Sequence, residues 1–329
     1  MEAFSYQRAS DSASAIRSFK PNAAYLAGGT TLLDLMKLEV IEPTTLIDVN
    51  GLRNTGAGIS LENGALRLGA FARMAEAESH PLVLNTIPML AQTLQMAASP
   101  QLRNMATLGG NVLQRTRCSY FRDVAWANCN KRNPGSGCAA LGGVNRKHAV
   151  LGAGDACIAT YPGDFAQGLI AMDASVEVSG ASGRRKMPFE ALHREPGDTP
   201  ERETNLEPGD LIEAFVVPVA PWSKRSQYVK IRDRQSYEFA LASAAVALDL
   251  DGDTVRQARI ALGGVATKPW RAREAESLLA GKPATEANFR AAAEAAFTGA
   301  RARDGNRYKI ELGKRTLVRA LQQTTDMRV

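Results

Sequence analysis

Four cysteines are the whole thiol content of this 329-residue chain, and all of them lie between positions 118 and 157. Cys118, Cys129 and Cys138 fall in CSYFRDVAWANCNKRNPGSGC, and Cys157 follows. Such a set is open to four chemistries: two disulfides, a tetrahedral zinc ion, an iron–sulfur cluster, or unrelated core positions. The short Cys-x₂₋₄-Cys knuckles of structural zinc are absent. Disulfides would suit an exported protein. Core thiols sit in periodic apolar segments, and this tract has no steady period. A [4Fe–4S] cluster needs four thiolates on a wrapping loop, and the glycines of NPGSGC let backbone approach sulfur. His148 could replace a ligand, although a lone surface histidine is more often only that.

The tract is also basic. Between residues 101 and 150 stand Arg103, Arg115, Arg117, Arg122, Lys131, Arg132, Arg146 and Lys147 against one acid, Asp123. That segment carries +7, more than the +6 of the entire chain. Such a run can grip nucleic acid, neutralise a bound anion, or stay as solvated surface. A metal-stabilised basic module that binds nucleic acid is therefore one functional class on offer.

Two glycine pairs are the other residues with binding chemistry. LAGGTTLLD reads as a strand, a Gly28-Gly29-Thr30 turn and a helix. Successive N–H groups in such a turn form an anion-binding concavity, and the helix N-terminus adds free donors. Thr30 and Thr31 add hydroxyls, which suits a phosphate or pyrophosphate. The pattern is neither GxGxxG nor a P-loop, and a tight strand–helix connection explains one such turn equally well. TLGGN at 107–111 repeats the theme, so two turns can clamp one polar group. His80, His148 and His193 have no motif company, and no nucleophile set is visible.

The elements that must position these residues read as follows. Residues 9–19 form a helix with Ser or Asp near its N-cap. Ala24–Ala27 is a buried strand, Thr31–Leu38 a helix, and TTLIDV, ending at Val49, a second strand. LENGALRLGA (61–70) is a hairpin with an Asn-Gly turn. Residues 87–98 place Ile87, Leu90, Ala91, Leu94 and Ala98 on one helical face. The tract 112–157 is long loops. DFAQGLIAMDASVEVSG is a helix then a strand, and LIEAFVVPV is a strand. Residues 193–210, charged and rich in Pro and Gly, are a connector and a plausible boundary. Residues 227–265 read as strands joined by turns and a short helix. Helices follow at 269–280, 285–298 and 307–323. No apolar run approaches the roughly 20 residues of a membrane span, so no membrane insertion is expected. MEAFSYQRAS has no basic and apolar signal pattern.

These motifs, in order, resemble the FAD-binding medium subunit of the xanthine dehydrogenase/molybdenum hydroxylase family. LAGGTTLLDLMK looks like its first flavin loop and ATLGGNV like its second. YPGDFAQGLIAMDASV is similar to its acidic segment, with Asp164 at the acid position. YVKIRDRQSYEFALASAAVAL is similar to the segment with a flavin-facing lysine, here Lys230. ALGGVATKPWRA looks like the C-terminal domain's GGVAxxPxRA turn. Most medium subunits run directly from TxGGN to the acidic segment. This chain inserts about forty residues there, holding all four cysteines. That insert most resembles the periplasmic aldehyde oxidoreductase type, and 4-hydroxybenzoyl-CoA reductase carries a similar one.

The resemblance implies an α+β fold. A PCMH-like FAD domain of two α/β subdomains spans 1–55 and 56–220, with an Fe–S insert at about 112–157. A C-terminal α+β domain (221–329) adds a small antiparallel sheet and helices. It implies FAD held by Leu26, Ala27, Gly28, Gly29, Thr30, Thr31, Leu32, Leu33 and Asp34, and by Thr107, Gly110 and Asn111. Asp164 would bond the nucleotide end, Ile212 would pack near the flavin and Lys230 would contact it. Cys118, Cys129, Cys138 and Cys157 would ligate a [4Fe–4S] cluster, and the basic residues would balance that cluster and the pyrophosphate. The implied partners are a large molybdenum-cofactor subunit, a small [2Fe–2S] subunit and an external electron acceptor, with no nucleic acid. No catalytic residue is assigned to this chain. Location would be periplasmic, by co-export with a signal-bearing partner, and otherwise cytoplasmic. In this reading the iron and flavin sites are separable, so loss of Cys129 removes iron and leaves flavin bound.

Overall fold

The computed structural model describes residues 1–329 and is α+β, built on three sheets. The first is parallel, in the order β1-β3-β2, from β1 (Ser5–Arg8), β2 (Ala23–Leu26) and β3 (Thr45–Asp48). Parallel neighbours need crossovers, supplied by α1 (Ser12–Ser18) and α2 (Leu32–Lys37). Asp11 caps α1 by accepting the Ser14 N–H at 2.6 Å. α2 has six residues and no side-chain cap, so its stability must come from what packs around it.

The second sheet is antiparallel, in the order β4-β5-β8-β6-β7. β4 (Ile59–Glu62) and β5 (Ala65–Gly69) are the expected hairpin. Asn63 and Gly64 turn it at φ of 50° and 72°, the left-handed region a two-residue loop of this type demands. β6 (Ser175–Gly180), β7 (Gly183–Pro188) and β8 (Leu211–Pro218) complete the sheet. β7 was not legible because GRRKMP carries no apolar alternation; it is an edge strand, and its charges discourage edge pairing. The 193–210 segment is no boundary, since β8 returns from it to the middle of this sheet. Helices Met74–Ser79, Pro88–Gln95 and Phe165–Ala171 cover the sheet's apolar face.

The third sheet joins β9 (Ser226–Ile231), β10 (Ala242–Asp251) and β11 (Thr254–Gly263), with short additions at 270–271 and 282–283. Alternate residues serve two cores. Tyr228, Ala245, Ala247 and Ala261 enter the core of the second subdomain. Val229, Ala244, Val246, Leu248, Ile260 and Leu262 face helices Arg273–Leu279, Glu286–Ala296 and Tyr308–Thr325. The short helix expected within 227–265 is absent. ALASAAVAL is rich in good helix formers, but a segment between two cores must alternate, and the period of two prevails.

One buried charge lies at the junction of these parts. Lys309 is fully buried, and its Nζ donates to the carbonyls of Lys147 at 3.1 Å and Gly264 at 2.5 Å. Burial, helped by nearby Arg146 and Lys147, lowers its pKa from 10.5 to about 7. The unfolded chain therefore binds this proton over a range where the folded chain does not, and stability rises with pH between about 7 and 10.5. We expect the melting temperature of the native chain to rise from pH 6.5 to pH 9 more than that of Lys309→Met, followed by circular dichroism in matched buffers.

Candidate functional site

β2 ends at Leu26, and the chain turns through Gly28 and Gly29 into α2. Gly29 sits at φ 72°, a conformation glycine adopts at no steric cost. Gly28 has a different constraint: a Cβ there would lie 2.1 Å from the Met105 carbonyl oxygen. The first glycine turn therefore rests against the backbone leading into the second. The N–H groups of Gly28, Gly29, Thr30, Thr31 and Leu32 donate to no acceptor in the chain. Five consecutive free donors make a cradle for an anion.

The second turn is built differently. Gly109 N–H donates to Ala70 O at 2.9 Å, Gly110 N–H to Thr107 Oγ1 at 3.1 Å, and Asn111 N–H to Thr107 O at 2.8 Å. Its backbone donors are occupied, and its contribution is closeness and one side chain. Asn111 Oδ1 is buried without a partner and Asn111 lines the cleft.

Two cavities meet at Thr30 and Thr31. The first, of about 230 Å³, is lined by Ala27 to Leu32, Thr107, Gly109, Gly110 and Ile212. The second, of about 460 Å³, is lined by Asp34, Asn111 and Asp164. Leu26 and Leu33 line neither; their side chains pack beside Gly29. Sequence reasoning missed the apolar walls Ile41, Phe71 and Leu113 of the first cavity. It also missed Arg117, Arg234 and Tyr237 of the second. Arginines beside a cysteine gave the one usable signal, and it was taken as charge balance.

Asp164 and Lys230 form one buried unit. Asp164 accepts from Lys230 Nζ at 2.8 Å and from Tyr228 OH at 2.6 Å. The two charged side chains are 4% and 1% exposed. Asp164 stands before helix Phe165–Ala171 but makes no side-chain cap bond. Lys230 lies behind Asp164, also donating to Met96 O at 2.9 Å, and does not line the cavity. Its route to a bound ligand runs through the Asp164 carboxylate.

The insert closes on itself at a neck. Thr116 Oγ1 donates to Thr160 O at 2.9 Å, and Tyr161 OH to Val112 O at 2.9 Å. Beyond the neck, Cys129 and Cys138 pair across an antiparallel bridge. Ala159 N–H donates to Cys157 Sγ at 3.4 Å. All four thiols are free. Burial pushes the Cys118 pKa up to about 12 and that of Cys157 up to about 11, with neighbouring cysteines adding to both. No three His, Cys, Asp or Glu side chains converge as a single metal ion requires. His148, read from sequence as a surface residue, is buried at 6% exposure, with Nε2 3.2 Å from Cys118 Sγ. Burial keeps it neutral, with a pKa near about 4.

The basic residues of the tract are spent within the chain. Arg115 and Lys131 pair with Glu203, Arg117 and Arg122 with Asp34, and Arg146 and Lys147 with Asp233. Arg103 pairs with Glu78, and Arg132 donates to the carbonyls of Tyr120, Phe121 and Trp126. Their charge ties the insert to the body of the molecule.

A sequence profile described as the FAD-binding domain in molybdopterin dehydrogenase matches residues 2–220. One described as the CO dehydrogenase flavoprotein C-terminal domain matches residues 227–324. The chain is 44% identical over 326 residues to the aldehyde oxidoreductase FAD-binding subunit PaoB of Escherichia coli, covering 98% of each. It is 28% identical over 281 residues to the glyceraldehyde dehydrogenase medium chain of Sulfolobus acidocaldarius, covering 85% of this chain and 82% of that one. Among solved structures it is similar to carbon monoxide dehydrogenase from Hydrogenophaga pseudoflava, with a TM-score of 0.76, 27% identity and 98% of both chains covered.

Two substitutions test this geometry. Gly28→Ala should lower the flavin retained per chain and cost about 1–3 kcal/mol of stability through overpacking, read by released-flavin absorbance and urea unfolding. Lys230→Met strands a buried carboxylate and should cost about 3–5 kcal/mol. Replacing Asp164 by Leu in the same chain should recover most of that loss.

Proposed function

The chain belongs to the family of FAD-binding medium subunits of molybdenum hydroxylases, and from that premise we propose that it is the flavin and [4Fe–4S] subunit of an aldehyde-oxidising complex. Aldehyde is oxidised at a molybdenum cofactor on a separate large chain. Electrons reach this subunit from the [2Fe–2S] clusters of a small chain and leave to an external acceptor. The row of five unpartnered N–H groups from Gly28 to Leu32, opening on a cavity that runs to Asp164, carries the flavin assignment. The similarity to an aldehyde oxidoreductase subunit supports the substrate class.

The residues fit FAD. The Gly28–Leu32 donors suit the pyrophosphate, Asn111 offers an unpaired amide oxygen, and Asp164 offers a carboxylate whose position Lys230 and Tyr228 fix. Leu32, Ile41, Phe71 and Ile212 give the first cavity apolar walls. Bound FAD supplies the exchange between one-electron and two-electron transfer. The chain's task is to hold it, shape its surroundings and limit access to its edge.

The cysteines offer the donor set of an iron–sulfur cluster: four free thiols stand in one lobe, with Cys129 and Cys138 facing each other across one bridge. The Ala159 N–H already points at Cys157 sulfur, as hydrogen-bond donors to a cluster do. A [4Fe–4S] cluster would supply one-electron storage here, held by Cys118, Cys129, Cys138 and Cys157. The reading extends to export of the assembled complex to the periplasm with a signal-bearing partner.

Anaerobically purified protein should show flavin bands, a broad Fe–S shoulder and iron in a ratio near four per chain (roughly, for a four-iron cluster). Cys129→Ser should lose most of that iron, and an unchanged iron content would sink the cluster assignment. A large molybdenum chain and a small ferredoxin-like chain should copurify.

A further inference from the structure

α2 stands between two things. Its inner side, Leu35 with the following Ile41, lines the first cavity. The same residues pack with Val40 against Phe121, Cys129 and Cys118 of the insert. The cavity wall and the cysteine segment thus share one apolar seam. Asp34, on the same helix, lines the second cavity beside Arg117 and Arg122. Arg122 Nη2 reaches both carboxylate oxygens of Asp34, at 3.0 and 2.8 Å, and Arg117 Nη1 reaches one at 3.1 Å. Arg117 also lies over the Phe239 ring, 5.0 Å from its centroid, and Phe239 lines the second cavity.

We infer that the cysteine insert is the outer wall of the flavin cavity, and that Arg117 and Arg122 are positioning residues that hold the flavin loop through Asp34. A six-residue helix whose first N–H groups are free for ligand cannot fix its own direction. Two arginines flanking Cys118 fix it from outside. A single exposed ion pair contributes little, but these share one carboxylate and stand on an apolar seam. The insert has only a small core of its own around Tyr120, Ala140 and Ile158, so its order depends on what its sulfurs hold.

Resting on the cluster reading above, one further step follows. Iron loading and flavin binding are linked: filling either site orders the shared wall and favours the other. The two sites are therefore not separable in the way the sequence alone implies.

The test titrates FAD into the deflavinated full chain, with its partners where they copurify. R117A/R122A should bind FAD about tenfold more weakly, within the usual range of coupling between sites. R122K should bind closer to native, and R290A, which breaks the exposed Arg290–Glu286 pair, should match native. Unchanged affinity in R117A/R122A, or an equal loss in R290A, overturns the positioning role. In a second arm, iron is stripped from native protein with a chelator and flavin release is timed by fluorescence. Faster release supports the linkage, and an unchanged rate overturns it. Protein that never contains iron refutes the cluster reading and with it the linkage, while the arginine arm still decides the positioning role.

Discussion

The structure turns on five backbone N–H groups, Gly28 to Leu32, that nothing in the chain accepts. Buried or crowded backbone donors are normally paired. A run of five left free commits the surrounding residues to making a place for an anion. Gly28 must be glycine because the Met105 carbonyl passes so close. α2 must start at once after the turn, which leaves it short. Everything else around the cleft, from Asn111 to the buried Asp164–Lys230–Tyr228 unit, supplies the parts of a site that this cradle does not.

The insert illustrates a second constraint. A segment of loops with little apolar content docks through a narrow apolar seam at Phe121 and Cys129 and otherwise by charge and by carbonyl contacts. Its partners lie in all three parts of the chain: Asp34 in the first subdomain, Glu203 in the 193–210 excursion, Asp233 in the C-terminal domain. Glu203 is half-buried, and Arg115 and Lys131 keep its carboxyl below the ordinary range against the opposing effect of burial. That excursion, which reads in sequence as a connector, is the insert's counterpart.

Much of this was legible in the sequence and some was not, for physical reasons. Periodicity exposed the hairpin at 59–69, the helix Pro88–Gln95 and the three C-terminal helices, because each buries one face. It missed β7, whose edge position rewards charge over alternation, and it expected a short helix within 227–265, where the chain runs only as strands and turns. The glycine turns and the cysteines announced a site by residue type alone. Their division of labour did not, since nothing in TLGGN says that its N–H groups are already taken by Ala70 and Thr107. Nor could spacing show that Lys230 stands behind Asp164, because that pairing crosses 66 residues. The basic tract was visible as a sum of charges, but its meaning lay in acids distant in sequence.

The neck at Thr116–Thr160 and Val112–Tyr161 has an evolutionary reading. Both ends of the insert leave the body at one place, fastened by the Thr116 side chain at one end and that of Tyr161 at the other. A segment joined through so narrow a base can be gained or lost without rerouting the strands on either side. What arrives or leaves as a unit is then the whole cysteine lobe. Its ancestry can be traced by whether the acids at 34, 203 and 233 travel with it.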